Sequence, residues 1–460
     1  MSIWKGKTIL VVGAARQGLA ATRFLVRHGA HVILNDNQPE MDLINQTREF
    51  KNSSVQFVFG SHPLSLLKSA DMVVISGGVP LDIPLIQHAI RKNIPLTNDS
   101  QLFMDSMDAK VIGITGSAGK TTTTTLVGAI ARSAVQPPAS AWIGGNIGTP
   151  LIDQVEKIQP QDWIVLELSS FQLELMHTCP QIAVILNITP NHLDRHHTMA
   201  AYTSAKINIL RYQNSEDWAI LNREDEGSRN AIPLSHGRIA TFGKGRLRDD
   251  ELGTFLQGNT IFFNGQEKQI PIMDIGHIKL IGEHNLMNAL AACCVGCIAG
   301  FSPDSISTGI SFVSYIPHRL EIISDIKGVL WINDSIATAP ERVLAALNAT
   351  TGPLILLLGG RDKKLPWKEL AKAIQKRKPK VILFGESAAL VRTALEKHMS
   401  EQDSYPIYQH NDLDDAVKRA ADIAISGDTV LLSPGGTSYD AFVDFEERGN
   451  RFRTLVEGLQ

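Results

Sequence analysis

Short apolar runs recur along the chain, each followed by a stretch of helical character, and the rhythm falls into three successive blocks. A strand-then-helix alternation of this kind implies parallel sheets. The first block predicts strands over 8–12, 31–35, 55–59 and 72–76, with a short one over 95–97. The second opens with a strand over 111–115 and continues through 163–168, 183–189 and 218–221. A patch of short strands and turns over 237–281 follows, marked by Phe255, Ile261 to Phe263 and Ile270, and a helix over 285–299 closes the block. The third predicts strands over 329–333, 354–358, 381–384 and 429–433. At 460 residues the chain is too long for one core, and boundaries near 105 and 310 divide it into 1–105, 106–310 and 311–460.

Composition changes this picture little. The chain is 43% hydrophobic and 20% charged, and a formal net charge of −3 gives no electrostatic case for nucleic acid or an anionic membrane. Arg16-Gln17-Gly18 interrupts the apolar N-terminal run, which argues against a signal peptide. No apolar run reaches the roughly 18 residues of a membrane span. Cys179, Cys293, Cys294 and Cys297 are too few for a disulfide framework and indicate a reducing compartment, so the expected location is the cytoplasm. Cys294 and Cys297 share a small-residue helix with no second pair nearby, which favours inert buried thiols over zinc.

The chemistry is most legible at 113–123, Gly-Ile-Thr-Gly-Ser-Ala-Gly-Lys-Thr-Thr-Thr, between a predicted strand and a predicted helix over 121–134. A glycine-rich loop there aims backbone N–H groups at a phosphate, and the helix N-terminus adds partial positive charge. Lys120 can reach the β- and γ-phosphates, and the Thr121 hydroxyl can ligate Mg²⁺. The common spacing requires glycine at 114, which is isoleucine; glycines fall instead at 113, 116 and 119.

Other candidates follow strand ends. Gly13-Ala14-Ala15-Arg16-Gln17-Gly18 approximates a dinucleotide fingerprint, with Asp36 placed for a ribose hydroxyl. It suits a nicotinamide dehydrogenase or a nucleotide-diphosphate pocket without hydride chemistry, and the neighbouring phosphate loop favours the second. Ser76-Gly77-Gly78 permits close backbone approach or is a plain turn. Glu167, at the carboxyl end of a strand beside the phosphate loop, is a candidate Mg²⁺ ligand. His192 is a metal ligand, a base or a capping residue. Lys206 is either a surface lysine or a partly buried amine of lowered pKa that reacts with carbon dioxide to give a carbamate. In the third block, Asn333-Asp334-Ser335, 359–363 and 433–438 each terminate a predicted strand and are placed to line one crevice.

In this order these segments resemble the Mur ligases of cell-wall precursor synthesis, over nearly the whole chain. The family loop reads Gly-x-Thr-Gly-(Ser/Thr)-Asn-Gly-Lys-(Ser/Thr), and 113–121 match it except at Ala118. Segments 144–148, 167–172, 191–195, 333–335 and 433–449 are similar to those of the members that add D-glutamate to UDP-N-acetylmuramoyl-L-alanine. The Asp-Asn-Pro signature of the diaminopimelate- or lysine-adding relatives is missing from the last block. The resemblance implies an α/β fold of three domains: an N-terminal Rossmann-like domain for UDP, a central P-loop ATPase-like domain with a mainly parallel sheet, and a C-terminal Rossmann-like domain for the amino acid. It also implies a monomer acting on small molecules with ATP and two Mg²⁺ ions.

By position, the resemblance places Gly113, Thr115, Gly116, Ser117, Ala118, Gly119, Lys120, Thr121 and Thr122 around ATP, joined by Asn285, Arg319 and Asp334. Thr121 and Glu167 would hold one Mg²⁺, and His192 with a carbamylated Lys206 a second, making Lys120, Glu167, His192 and Lys206 the catalytic set. Arg16, Gln17, Gly18, Asp36, Asn37, Gly78, Asn146, Ser169 and Gln172 would face the UDP substrate. Lys363, Ser438 and Phe445 would grip glutamate. The implied reaction passes through an acyl phosphate and a tetrahedral intermediate. Three departures stand out: Ala118 in the phosphate loop, and Ile336 and Ala339 where the family continues Asn-Asp-Ser-Lys-Ala-Thr-Asn. The alternatives are a related ligase with another acceptor amino acid, and a nucleotide-binding relative without catalysis.

Overall fold

The computed structural model describes residues 3–459 except 52, 147, 149, 266–267, 281 and 400–403. Ile147 of the 144–148 segment and Ile281 at the end of the strand patch therefore lie outside the described residues. The chain divides into two compact units, Met1–Lys279 with Glu283–Val313, and Leu280–Gly282 with Ser314–Gln460.

The first unit contains two sheets. One is built from β1 (Thr8–Val12), β2 (His31–Asn35), β3 (Val55–Val58), β4 (Met72–Ile75) and β5 (Leu96–Thr97), all parallel, in the order β3-β2-β1-β4-β5. Strand order reverses between β1 and β4, which sets the turn after Val12 beside the turn after Ile75, the usual position for a ligand crevice. The central strands β1 and β4 are buried over Ile9–Val12 and Val73–Ile75, as strands covered on both faces are.

The second sheet comprises β6 (Lys110–Thr115), β7 (Ala141–Gly145), β8 (Trp163–Glu167), β9 (Ile182–Ile185), β10 (Trp218–Asn222), β11 (Arg238–Phe242), β12 (Gly253–Gln257), β13 (Thr260–Asn264) and β14 (Gln269–Asp274). Its order is β14-β13-β12-β11-β10-β9-β6-β8-β7. The expected patch of short strands is the antiparallel edge β12-β13-β14. Strand β7 was not legible in the sequence, and β9 stops at Ile185 where the apolar pattern predicts continuation to 189. The backbone leaves the sheet there because Asn187 and Thr189 bond the phosphate loop instead of a neighbouring strand.

The second unit holds β15 (Glu321–Ile326), β16 (Val329–Asn333), β17 (Leu354–Gly359), β18 (Lys380–Phe384), β19 (Ile407–Gln409) and β20 (Thr429–Gly435), ordered β15-β16-β20-β17-β18-β19. All pairs are parallel except β15-β16, and the polar edge strands β15 and β19 escaped the sequence reading. Cys293 and Cys294 are buried in the helix Glu283–Ile298, where burial pushes both thiols above their ordinary range. Among the described residues no helix is long and apolar enough to cross a membrane.

Candidate functional site

Strand β6 is central in its sheet, flanked by β8 and β9, so its carboxyl end is ringed by loops from both neighbours. The chain turns there through Gly116–Gly119 into the helix Lys120–Ala134. Gly119 occupies the N-cap position at φ +83°, and a Cβ there would lie 2.4 Å from Asn288 Oδ1. Both facts require glycine. No side chain caps this helix start, so its N-terminal amides remain directed at the loop.

Asn187 holds the loop in place, a role the sequence does not signal, because the apolar pattern puts this residue inside the strand predicted over 183–189. Its Oδ1 accepts from the Ala118 N–H at 2.8 Å, and its Nδ2 donates to the Ala118 carbonyl at 3.1 Å. The Ser117 N–H donates to the Asn187 carbonyl at 2.9 Å. Ser117 Oγ donates to the Thr189 carbonyl at 2.9 Å and accepts from the Tyr202 hydroxyl at 2.9 Å. Thr122 and Thr115 are buried, so their side chains face the interior.

Two lysines converge on this loop. Lys120 Nζ donates to the Gly116 carbonyl at 3.0 Å, and Lys206 Nζ donates to the same oxygen at 2.9 Å. Lys206 lies on the helix Met199–Ile207 and is only 1% exposed, which excludes the surface reading. Burial, followed by repulsion from Lys120, lowers its pKa from 10.5 to about 7, against the pull of Glu167. Nearby, Thr121 Oγ1 donates to Glu167 Oε2 at 2.8 Å, and Asn146 Nδ2 donates to Glu167 Oε1 at 3.1 Å. A buried carboxylate beside a hydroxyl is the donor set that a hard cation takes, so this pair fits Mg²⁺.

His192 sits in the left-handed region at φ +52°, at the N-cap position of the turn Leu193–His196, yet its side chain makes no capping bond. Its ring meets Phe171 edge-on at 5.2 Å and lies 6.5 Å from the Tyr202 ring, which is itself 4.7 Å from Lys206 Nζ. His192 and Lys206 therefore flank one aromatic ring. Among the described residues no three His, Cys, Asp or Glu side chains converge on a point.

The candidate UDP residues gather at the strand-order reversal of the first sheet. Gln17 Oε1 accepts from the Gly77 N–H at 3.3 Å, and Arg16 Nη2 donates to the Asn146 carbonyl at 3.4 Å. Arg195, unassigned by the sequence reading, donates to the carbonyls of Gly77 at 3.4 Å and Gly78 at 3.1 Å, and to that of Val79. Its guanidinium lies over Phe171 at 4.4 Å. Asp36 is used locally: its oxygens accept from the Ala14 and Gln38 amides at 2.7 and 2.9 Å, fixing the turn before Gly18. Asn37 is exposed beside it. One expected contact is corrected. Gln172 is buried, its Oε1 accepting from Ser169 at 2.9 Å and its Nε2 donating to Ser100 at 2.8 Å, so it anchors Ser169 and does not line the site. Asn285, on its own helix, accepts from Asn288 at 3.1 Å.

In the second unit the loops after β16, β17 and β20 do meet. Asp334 accepts from Ser433 Oγ at 2.8 Å and from the Leu320 amide at 3.2 Å, and burial raises its pKa from 3.8 to about 7. Both oxygens serve the loops, and the Arg319 and Arg342 charges act on it from nearby. Arg361 and Thr437 exchange backbone bonds at 2.8 Å. Arg448, given no role in the sequence reading, lies on the helix Phe445–Glu457 and is 0% exposed. It donates to Ser335 Oγ at 3.0 Å, the Ser335 carbonyl at 2.9 Å and the Gly436 carbonyl at 3.2 Å. Ser438 is buried, Phe445 meets His318 edge-on at 6.1 Å, and exposed Lys363 donates to Thr338 Oγ1 at 3.3 Å.

Comparison with known proteins agrees with this architecture. Residues 7–98 match the Mur ligase MurD-like N-terminal domain, 114–296 the Mur ligase middle domain, and 318–436 the Mur ligase, glutamate ligase domain. The UDP-N-acetylmuramoylalanine–D-glutamate ligase of Alkaliphilus metalliredigens is 36% identical over 460 residues, covering 99% of each chain. The like-named protein of Symbiobacterium thermophilum is 37% identical, covering 98% of this chain and 97% of its own. Among solved structures, UDP-N-acetylmuramate-alanine ligase MurC from Thermotoga maritima aligns with a TM-score of 0.59 at 19% identity, over 99% of this chain and 100% of that one. MurF from Acinetobacter baumannii aligns at 0.58 and 16% identity, over 98% and 93%. With all three regions matched in order and relatives alike from end to end, the chain belongs to the Mur ligase family.

Proposed function

We propose that this chain is the ATP-dependent ligase that joins D-glutamate to UDP-N-acetylmuramoyl-L-alanine in peptidoglycan precursor synthesis. The observation that carries the reading is the pair Lys120 and Lys206 on the Gly116 carbonyl, beside the Thr121–Glu167 pair, in a chain whose relatives are named for that reaction. UDP binding is assigned to 1–105, ATP binding to 106–310 and amino-acid binding to 311–460. The reading includes a monomer in the cytoplasm.

The substrate carboxylate attacks the γ-phosphorus of ATP, forming an acyl phosphate and releasing ADP. The amine of D-glutamate then adds to the acyl carbon, and the tetrahedral intermediate expels phosphate, losing the amine proton, to leave an amide. Carboxylate and triphosphate repel one another, so positive charge is the main requirement. The uncapped N-terminus of the helix Lys120–Ala134 and the Lys120 ammonium supply it at the phosphates. Mg²⁺ held by Thr121 and Glu167, and a second ion held by His192 and a carbamate on Lys206, would screen the remaining charge. The lowered pKa of Lys206 keeps a large share of its amine neutral near pH 7, the form that carbon dioxide captures. Arg16, Gln17, Gly18, Gly78, Asn146 and Ser169 are assigned to the UDP substrate, and Lys363, Ser438 and Phe445 to glutamate.

The test is phosphate release from ATP with UDP-N-acetylmuramoyl-L-alanine and a panel of amino acids. Release only with D-glutamate is expected. Release with a different acceptor, or with none, overturns the assignment.

A further inference from the structure

The assignment of the amino acid to the second unit, on which this inference rests, calls for a site that accepts two carboxylates and one ammonium group. Two cations are anchored along the loop that follows β16. Lys363 Nζ reaches Thr338 Oγ1 at 3.3 Å, and Arg342 Nη1 donates to the Ile336 carbonyl at 3.1 Å. Both residues are exposed. The only hydrogen bond from the Arg342 guanidinium among the described residues is that one, to a neutral carbonyl, so most of its donors remain available.

Local energetics do not account for an arginine here. Arg342 lies in the first turn of the helix Pro340–Ala349, where a cation opposes the helix dipole. The same turn starts without a side-chain cap, because Ala339 occupies the N-cap position. Pro340 has no N–H and the Arg342 amide is bonded to the Ala339 carbonyl at 3.0 Å, so the guanidinium is the group of this turn that favours an anion. Residue 336, whose carbonyl Arg342 grips, is an apolar isoleucine, so the loop itself carries no cation between Asp334 and Ala339. The charge of Arg342 reaches that loop, being one of the influences that hold the Asp334 pKa down against burial.

We propose that Arg342 is a specificity-determining residue that binds one carboxylate of the incoming dicarboxylic amino acid while Lys363 binds the other. A planar guanidinium suits a carboxylate better than a lone ammonium because it can donate two parallel bonds. An acceptor amino acid with an uncharged side chain would engage only one of the two cations.

Steady-state kinetics on the full chain test this, with each substrate varied in turn. Arg342→Ala is expected to raise the KM for D-glutamate about tenfold or more, with the KM for ATP and for the UDP substrate within about twofold. Arg342→Lys should recover part of the loss, and adding Ile336→Lys to Arg342→Ala should recover it by returning a cation to the loop. A D-glutamate KM that stays within about twofold in Arg342→Ala, while the wild type remains active, overturns the role of Arg342 and leaves the ligase reading intact. A parallel rise in all three KM values, unrelieved by Ile336→Lys, also overturns it, because that is the mark of a structural role. Wild-type protein that shows no D-glutamate-dependent phosphate release sinks both readings together.

Discussion

Lys206 and Lys120 donate to a single acceptor, the Gly116 carbonyl, from 2.9 and 3.0 Å. Two ammonium groups on one oxygen repel, and Lys206 is also the more deeply buried, so it is the one that yields its proton. Lys206→Ala should lower activity on the order of 10²-fold or more, as loss of a charged group poised at the reacting phosphates does. Formate or acetate should restore part of it by standing in for a carbamate. Full activity in the unrescued variant would falsify the carbamate role.

The same shift fixes a pH dependence of stability. Unfolded, Lys206 keeps its proton up to its ordinary pKa of 10.5; folded, it releases it at about 7. Between those values the unfolded state binds more protons, so this residue's contribution favours the fold increasingly as pH rises from 7 towards 10. Urea unfolding at pH 7 and pH 9 should show a gain in the wild type that is absent in Lys206→Met. An equal pH response in both proteins would rule the shift out.

Asn187 clamps the phosphate loop through both polar groups of Ala118. Asn187→Leu removes both bonds at similar size and should weaken ADP binding by about 1–2 kcal/mol, roughly tenfold in Kd. Calorimetric titration of ADP checks this, and unchanged affinity would show that the loop holds its shape without the clamp.

Among the described residues Arg448 bonds neutral acceptors only, two of them the carbonyls of Ser335 and Gly436. Arg448→Met would relieve the burial of charge but strand those carbonyls, each at a cost of about 1–3 kcal/mol. A net loss of stability of roughly 2 kcal/mol, with a higher KM for D-glutamate from the loosened loops, is expected. Denaturant unfolding together with kinetics reads both effects.

Ala339 holds an N-cap position without a capping side chain. Ala339→Ser should stabilise the second unit by about 1 kcal/mol and raise its melting temperature by about 2–4 °C. Calorimetry would detect the shift, and no change would mean that the hydroxyl fails to reach the amides of the first turn.

Much of the fold was legible because apolar runs and glycine-rich turns are local features. Strands β1, β2 and β16 lie where the pattern places them. The misses share a cause. Edge strands β15 and β19 carry too few buried residues to look like strands, and β9 was read too long because its apolar tail leaves the sheet to serve the phosphate loop.

The sequence by itself determined the phosphate loop, the candidate metal pair Thr121 and Glu167, and the three-block α/β plan, since each is written in neighbouring residues. Tertiary structure alone decided that Lys206 is buried against a carbonyl 90 residues away, that Arg448 is interior and that Gln172 is structural. A charged or polar residue on a helix has the same letter code whether its face meets water or protein. Its exposure, and with it its pKa and its chemistry, is set by elements far along the chain.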